Sequence, residues 1–351
     1  MGDADKGTGQ VSPSRRIAAL DGWRGIAILL VVFDHFQDSL LGHYAYSWTQ
    51  TGIAGVTVFF VLSGYLITSN LLKGTIDLKK FYVRRFFRLM PTAWTYLAFL
   101  MLMGFFLGWP FITDRGLLGS LFFYRNFLPL PLDLSGHFWS LSIEEQFYLI
   151  WPGVLLLAGV KRAKWLVIAG VIVIAALRLS AWTYYNGVSA HTQVRADALL
   201  WGCLLAILLS GPEANRIARL LRWSFVPALA VFLYFALTVH PLSPLPELAA
   251  IATMIGFAVT NPRHWSVRLI STRSLAWVGT VSYSVYVWQE FFMQYRSVWA
   301  LFVAMPLFAI ASYYLIERPC NRFGHRITAR SAVLADARKN EAEAASAGAL
   351  N

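Results

Sequence analysis

Apolar residues recur in long blocks from residue 18 to residue 316, separated by short basic or Gly- and Pro-containing breaks. A helix that crosses a bilayer needs about 20 mostly apolar residues. By that ruler the pattern predicts ten spans, at 18–40, 53–72, 91–111, 137–159, 164–184, 196–210, 223–240, 246–261, 277–294 and 298–317. The stretch 116–127 is too short to cross and reads as an interfacial helix. Alternating strand-length segments are not found, which argues against a β-barrel. The expected fold is therefore all-α, a polytopic membrane bundle over 18–320, with a disordered polar tail at 1–17 and a second tail at 321–351. The first apolar run carries Asp21, Arg24, Asp34 and His35 and is not followed by a small-residue cleavage site, so it reads as a retained helix rather than a signal peptide.

Composition agrees with the pattern: 57% of the 351 residues are hydrophobic and only 14% are charged, where soluble domains carry about 25%. The net charge of +12 would suggest nucleic acid in a soluble chain, but here it has a topological reading. Of the 30 Lys and Arg residues, 24 fall in the N-terminal tail, in loops 73–90, 161–164, 211–222 and 262–275, and in the C-terminal segment from Arg318 onward. Basic loops stay on the cytoplasmic side. Both termini are accordingly expected in the cytoplasm, the protein in the cytoplasmic (inner) membrane, and no nucleic-acid partner is expected. Cys203 and Cys320 supply neither a disulfide framework nor a zinc cluster, and no metal site is expected.

Ionisable residues inside membrane helices are costly and mark candidate sites. Asp21, Arg24, Asp34 and His35 fall on the first predicted span, Glu144 and Glu145 on the fourth, Arg178 on the fifth, Asp197 on the sixth, Glu290 on the ninth and Glu317 at the end of the tenth. Arg24 and His35 are eleven residues apart, three turns plus about 20°, so they share a helix face about 17 Å apart along the axis. A neutral buried imidazole can take a proton from a hydroxyl, and a guanidinium suits an anionic ligand arriving from the cytoplasm. The same spacing also fits an Arg–carboxylate pair that holds helices together, with His35 a polar core residue.

In KKFYVRRFFRLMP (79–91), Arg84 and Arg88 stand at i and i+4 with Arg85 between them. Such a face can hold phosphates bidentately, or rest on anionic lipid as an interfacial helix. In HFWSLSIEEQFYLIWP (137–152), Ser142, Glu145 and Gln146 share one face, and Glu144 with Tyr148 forms a second. Adjacent carboxylates point about 100° apart, so different partners are expected for them: Arg24 or Arg178 for one, His35 or a substrate hydroxyl for the other.

LDGWRGIAILLVVFDHF, FFVLSGYLI, RRFFRLMP, HFWSLSIEEQFYLIWP, TQVRADALLWG, VSYSVYVW and LIERP occur in that order. Together they resemble the membrane-bound acyltransferase-3 family across residues 18 to 320. The resemblance implies a bundle of about ten helices that moves an acyl group, commonly acetyl, from cytoplasmic acyl-coenzyme A to a sugar hydroxyl. It places the family's Arg and essential His on Arg24 and His35, its basic donor-binding segment on Arg84, Arg85 and Arg88, and its WSL–EEQ motif on Trp139, Ser140, Glu144, Glu145 and Gln146. Arg195 and Asp197, Tyr283 and Glu317 fall in the later motifs, and with Asp34 and Ser142 they are expected to support the site.

Three departures bear on this. Gln289 follows Trp288 where many members have a histidine, so a second essential histidine is not expected there. Asp34 precedes His35 where an apolar residue is usual, and could perturb it. The chain also ends soon after LIERP, which points to a stand-alone transferase without the extracellular esterase-like SGNH domain that some members append.

The expected reaction is transfer of an acetyl or other short acyl group from acyl-coenzyme A, as donor substrate with no bound cofactor, to a carbohydrate or glycosylated acceptor. His35 would act as general base or as an acylated nucleophile. Outer loops 111–136 and 185–195 would select the acceptor. Two rivals use the same residues: a proton-coupled secondary transporter, and a scaffold subunit of an envelope polysaccharide machine.

Overall fold

The computed structural model describes residues 13–41, 50–74, 76–129, 133–184, 191–238, 245–293, 297 and 299–329. Among these residues the chain is all-α, with no strand. Thirteen helices follow in order: α1 (Pro13–Leu41), α2 (Thr51–Leu71), α3 (Leu78–Leu107), α4 (Asp114–Leu121), α5 (Phe138–Tyr184), α6 (Thr192–Arg195), α7 (Asp197–Ser210), α8 (Ala214–Leu221), α9 (Phe225–Leu237), α10 (Leu245–Thr260), α11 (Trp265–Ile270), α12 (Arg273–Met293) and α13 (Met305–Ser312).

Several boundaries differ from the expected spans. The first helix starts at Pro13, within the expected tail; residues 1–12 of that tail lie outside the described residues. No loop separates the fourth and fifth spans at 161–164. Instead α5 runs through and breaks at Gly159, whose φ of 69° and ψ of 165° leave the helical region, a conformation open to glycine because it has no Cβ. The interfacial helix is α4, followed by a short 3₁₀ turn at Arg125–Phe127. After α13, helix continues through a π-helical turn (Tyr313–Glu317) to residue 329, so the expected C-terminal tail begins as helix, and 330–351 lie outside the described residues.

By length and composition α2 and α3 can each cross a membrane, and α7 with α8, bent by 117°, can do so as one broken span. At a rise of 1.5 Å per residue the 30-residue α3 extends about 45 Å, longer than a hydrocarbon core of about 30 Å. Its basic first third can therefore stay at the interface. The outer part of α3 turns Leu102, Phe105, Phe106 and Leu107 outward, Phe105 being 81% exposed. An apolar surface of that kind is unfavourable in water and ordinary against lipid.

Contacts fix the helix directions. Asp34 meets Thr51, and Ala27 meets Gly55, so α1 and α2 are antiparallel. Tyr82 meets Leu149, while Tyr96 meets His137, so α3 and the first half of α5 are antiparallel. Tyr283 meets Leu89, while Phe291 meets Phe99, so α12 runs with α3. Ser284 meets Glu317, while Phe292 meets Phe308, so the α13 helix runs against α12.

The α1–α12 contact is close enough to depend on glycine. A Cβ on Gly279 would lie 1.7 Å from the carbonyl oxygen of Asp21. Small residues that let helix backbones approach are a main source of packing between membrane helices. Gly279→Ala is expected to force α1 and α12 apart and destabilise the protein by about 1–3 kcal/mol. Thermal unfolding of the solubilised protein checks this; an unchanged transition would mean the contact gives way at no cost.

Candidate active site

Arg24 and His35 lie on the continuous helix α1, as the spacing predicts. Arg24 pairs with Asp21 at 3.3 Å, one turn earlier. His35 Nδ1 lies 2.9 Å from the carbonyl oxygen of Val31. A carbonyl can only accept, so Nδ1 donates in this bond, and Nε2 is the nitrogen left for other partners. Asp34 does not turn toward His35: its Oδ1 accepts from Thr51 Oγ1 at 2.8 Å, tying α1 to α2.

The largest change from the sequence expectation concerns the adjacent carboxylates. Glu144 and Glu145 do not take separate partners; both face Arg85. Arg85 Nη2 is 3.8 Å from Glu144 Oε2, and Arg85 Nε is 3.8 Å from Glu145 Oε1. The same guanidinium sits 3.5 Å above the ring of Tyr148, a cation–π contact. Tyr148 in turn shares a 2.6 Å hydrogen bond with Ser63. The expected partner Arg178 instead binds Asp197 at 2.6 Å and also donates to the carbonyl of Val194.

Arg24, Arg85 and Arg88 converge with Glu144 on one cleft. Ser63, Ser140, Tyr283 and Tyr286 also line it. Arg84 does not: its Nε donates to Thr328 Oγ1 at 2.9 Å, on the helix that ends the described chain. Tyr283 is fixed by donating to the carbonyl of Leu89 at 2.7 Å, and Glu317 Oε2 accepts from Ser284 at 2.7 Å within electrostatic reach of Arg88 and Arg24.

His35 does not line this cleft. It lies toward the other end of α1, within electrostatic reach of His137 and Glu290. His137 Nδ1 is 3.9 Å from Glu290 Oε2. The His137 ring is buried among Tyr96, Phe138 and Tyr286. The motif reading passed over His137, although it opens the polar run 137–152 and stands one turn before Ser140. Tyr286 joins the two regions, sharing a 2.6 Å hydrogen bond with Ser140 and donating to the carbonyl of His137 at 2.9 Å.

The remaining predicted residues do not line this cleft. Gln146 Nε2 donates to Phe123 O at 2.6 Å and to Asn126 Oδ1 at 3.0 Å, while its Oε1 accepts from Thr192 at 2.5 Å. Ser142 accepts from the Arg125 amide. Trp139 packs edge-on against Phe60, with ring centroids 6.1 Å apart. Arg195 lines a separate, smaller cavity with Arg178.

A tight polar knot closes the segment before α5. Asp133 accepts from the amide and hydroxyl of Thr113 at 2.8 and 2.7 Å, and from those of Ser135 at 2.9 and 2.5 Å. Burial pushes its carboxyl up, but the hydrogen bonds from Ser135 and Thr113 outweigh this and hold it below its usual value of 3.8. A depressed carboxylate contributes stability that is present above that value and is lost as pH falls through the lower folded value. Asp133→Asn is expected to destabilise the protein by about 1–3 kcal/mol near neutral pH. The gap to wild type should narrow as pH drops below 3.8. Unfolding measured at both ends of this range tests it; a gap independent of pH would remove the carboxylate's role.

Comparison with known proteins adds an independent line. The profile of a family described as acyltransferase domain matches residues 17–317. The peptidoglycan O-acetyltransferase OatA of Listeria monocytogenes is 30% identical over 312 residues, covering 78% of this chain and 48% of the relative. A Bacillus subtilis protein under the provisional name peptidoglycan O-acetyltransferase YrhL is 29% identical, covering 90% of this chain and 56% of its own length. The chain thus spans about half the length of these curated relatives. No solved structure matches.

Proposed function

The chain belongs to the acyltransferase domain family, and from that premise we propose that it is a membrane O-acyltransferase, carrying an acetyl or other short acyl group from acyl-coenzyme A to a hydroxyl of a carbohydrate acceptor. Because the relatives above are named for peptidoglycan, a peptidoglycan sugar is the first acceptor to test. The reading includes about ten spans in the cytoplasmic membrane with both termini inside. The alternating helix directions and the basic-loop bias support it.

The observation that carries this reading is the three-arginine cleft near one end of a helix whose other end holds a histidine bonded through Nδ1 to a backbone carbonyl. Arg24, Arg85 and Arg88 would hold the donor's phosphates through charge-assisted hydrogen bonds, while the acyl arm reaches past Ser140 and Tyr286 toward His35. His35 Nε2 takes the acceptor hydroxyl proton as the oxygen attacks the thioester carbonyl. The C–S bond then breaks, and coenzyme A leaves as the thiol, with the proton returned from the imidazolium. Nε2 is also the nitrogen that an acyl-histidine route would use.

Purified protein in lipid nanodiscs, supplied with acetyl-coenzyme A and peptidoglycan fragments, should release free thiol and add one acetyl mass to the glycan. Transport of a solute down a proton gradient without thiol release would overturn the proposal. Arg88 makes no ion pair among the described residues. Arg88→Gln is expected to raise KM for acetyl-coenzyme A about 10–100-fold, the loss of one charge-assisted contact of about 1.5–3 kcal/mol. An unchanged KM would place the phosphates elsewhere.

A further inference from the structure

A groove opens on the surface where the start of α9 meets the end of α10. It has a volume of about 820 Å³, within the range of about 300–1,000 Å³ usual for small-molecule sites. Its floor is apolar: the rings of Phe225 and Phe257 lie 4.9 Å apart, and Val226 and Leu229 form the α9 wall. Its rim is cationic, with Arg222 from the turn before α9 and Arg263 from the turn after α10. The helix that follows, α11, packs on the first turns of α1, where a Cβ on Gly22 would lie 1.8 Å from the carbonyl oxygen of Ile270. The groove therefore belongs to the end of the bundle that holds Arg24, the end that the basic-loop bias assigns to the cytoplasm.

Charge, exposure and helix direction together specify an occupant. Residues 214–229 and 257–275, which build the groove and its surroundings, contain six Arg and no Asp or Glu. Among the described residues neither Arg222 nor Arg263 makes an ion pair. Two exposed guanidiniums without a carboxylate call for an anion, and their fork geometry suits a phosphate. Trp223 and Trp265, also at the groove, are 83% and 69% exposed, as tryptophans at the headgroup level of a membrane are. On α9, Val226, Leu229, Leu233 and Leu237 stand at i, i+3, i+7 and i+11, on one helix face, and Leu233 and Leu237 are exposed. An apolar track thus leaves the cationic rim and follows α9 for about 20 Å toward the middle of the bundle. A free phosphate would satisfy the rim alone; a hydrocarbon chain joined to the phosphate satisfies both.

We propose that this groove binds an anionic phospholipid of the cytoplasmic leaflet, its phosphodiester on Arg222 and Arg263 and one acyl chain along the exposed face of α9. Basic pockets between membrane helices on the cytoplasmic side have the charge that such headgroups need. The site uses neither His35 nor any residue of the arginine cleft, so it stands independently of the acyl-transfer reading.

The test uses the full chain in neutral detergent micelles and phosphatidylglycerol carrying a photoactivatable diazirine in one acyl chain, with labelled peptides mapped by mass spectrometry. Saturable label is expected on peptides containing Phe225–Leu237. Arg222→Gln combined with Arg263→Gln should weaken binding about 10–100-fold through the lost charge-assisted contacts, with unfolding unchanged because both side chains are exposed. Arg263→Gln alone is the second variant should the pair not fold. Arg216→Gln combined with Arg273→Gln removes the same charge from the same two segments outside the groove, and should change binding less than about threefold. The phosphatidylcholine analogue, whose headgroup carries no net charge, should bind at least about tenfold more weakly. Label elsewhere, no saturable label, or an equal loss in both double variants would overturn the site. Displacement of the lipid by inorganic phosphate, at an ionic strength matched with chloride, would make it a site for free phosphate and overturn the lipid assignment.

Discussion

His35→Ala is expected to lower kcat for acyl transfer by about 10²–10⁴, the usual contribution of a positioned general base, with KM for acetyl-coenzyme A nearly unchanged. The separation follows from the helix. Arg24, in the arginine cleft, and His35 are eleven residues apart on α1, about 17 Å along its axis, and His35 does not line that cleft. The substitution also leaves the helix intact, because among the described residues the hydrogen bond it removes is to a carbonyl of its own turn, that of Val31. His35→Gln is a sharper variant. It keeps a side-chain donor but has no basic nitrogen, so it should be as inactive as alanine. Turnover followed by coenzyme A release, with unfolding measured in parallel, checks both. Either variant working at the wild-type rate would remove His35 as base and as nucleophile.

The elements that could be read from the chain in advance are those set by local periodicity. Apolar blocks of the right length predicted α2, α7, α10 and α12 to within a few residues, whereas α3 begins at Leu78, well before the expected span at 91–111, and the spacing of Arg24 and His35 placed them on one helix. What could not be read depends on which helices cross. Two adjacent carboxylates diverge by about 100° on their own helix, and from that alone separate partners follow. In the fold they straddle the groove between α5 and α3, and one long arginine reaches into it from the other side. Arg84 and Arg88 share a face of α3, yet Arg84 donates to Thr328, 244 positions later, and does not line the arginine cleft that Arg88 enters. His137 carried no spacing signal. Its position beside Glu290 depends on α12 packing against α5 near Tyr96.

The Arg85 cluster permits a second large prediction, one that separates holding the fold from holding the donor. Arg85 is the counter-charge of both Glu144 and Glu145, all three side chains being at most 16% exposed. Removing one partner of a buried pair strands the other's charge and costs about 3–5 kcal/mol. Arg85→Met should therefore accumulate poorly in the membrane and unfold early. If that loss comes from the stranded carboxylates, replacing them as well with Glu144→Gln and Glu145→Gln should restore folding, because neutral amides do not need a buried cation. The triple variant should then be folded but defective with acetyl-coenzyme A, as a donor phosphate would have lost one of three guanidiniums while Arg24 and Arg88 remain. A folded triple variant with normal donor KM would make Arg85 a purely structural residue. A triple variant that still fails to fold would instead assign the cost to the contacts Arg85 makes beyond the two carboxylates, foremost the ring of Tyr148 3.5 Å beneath its guanidinium.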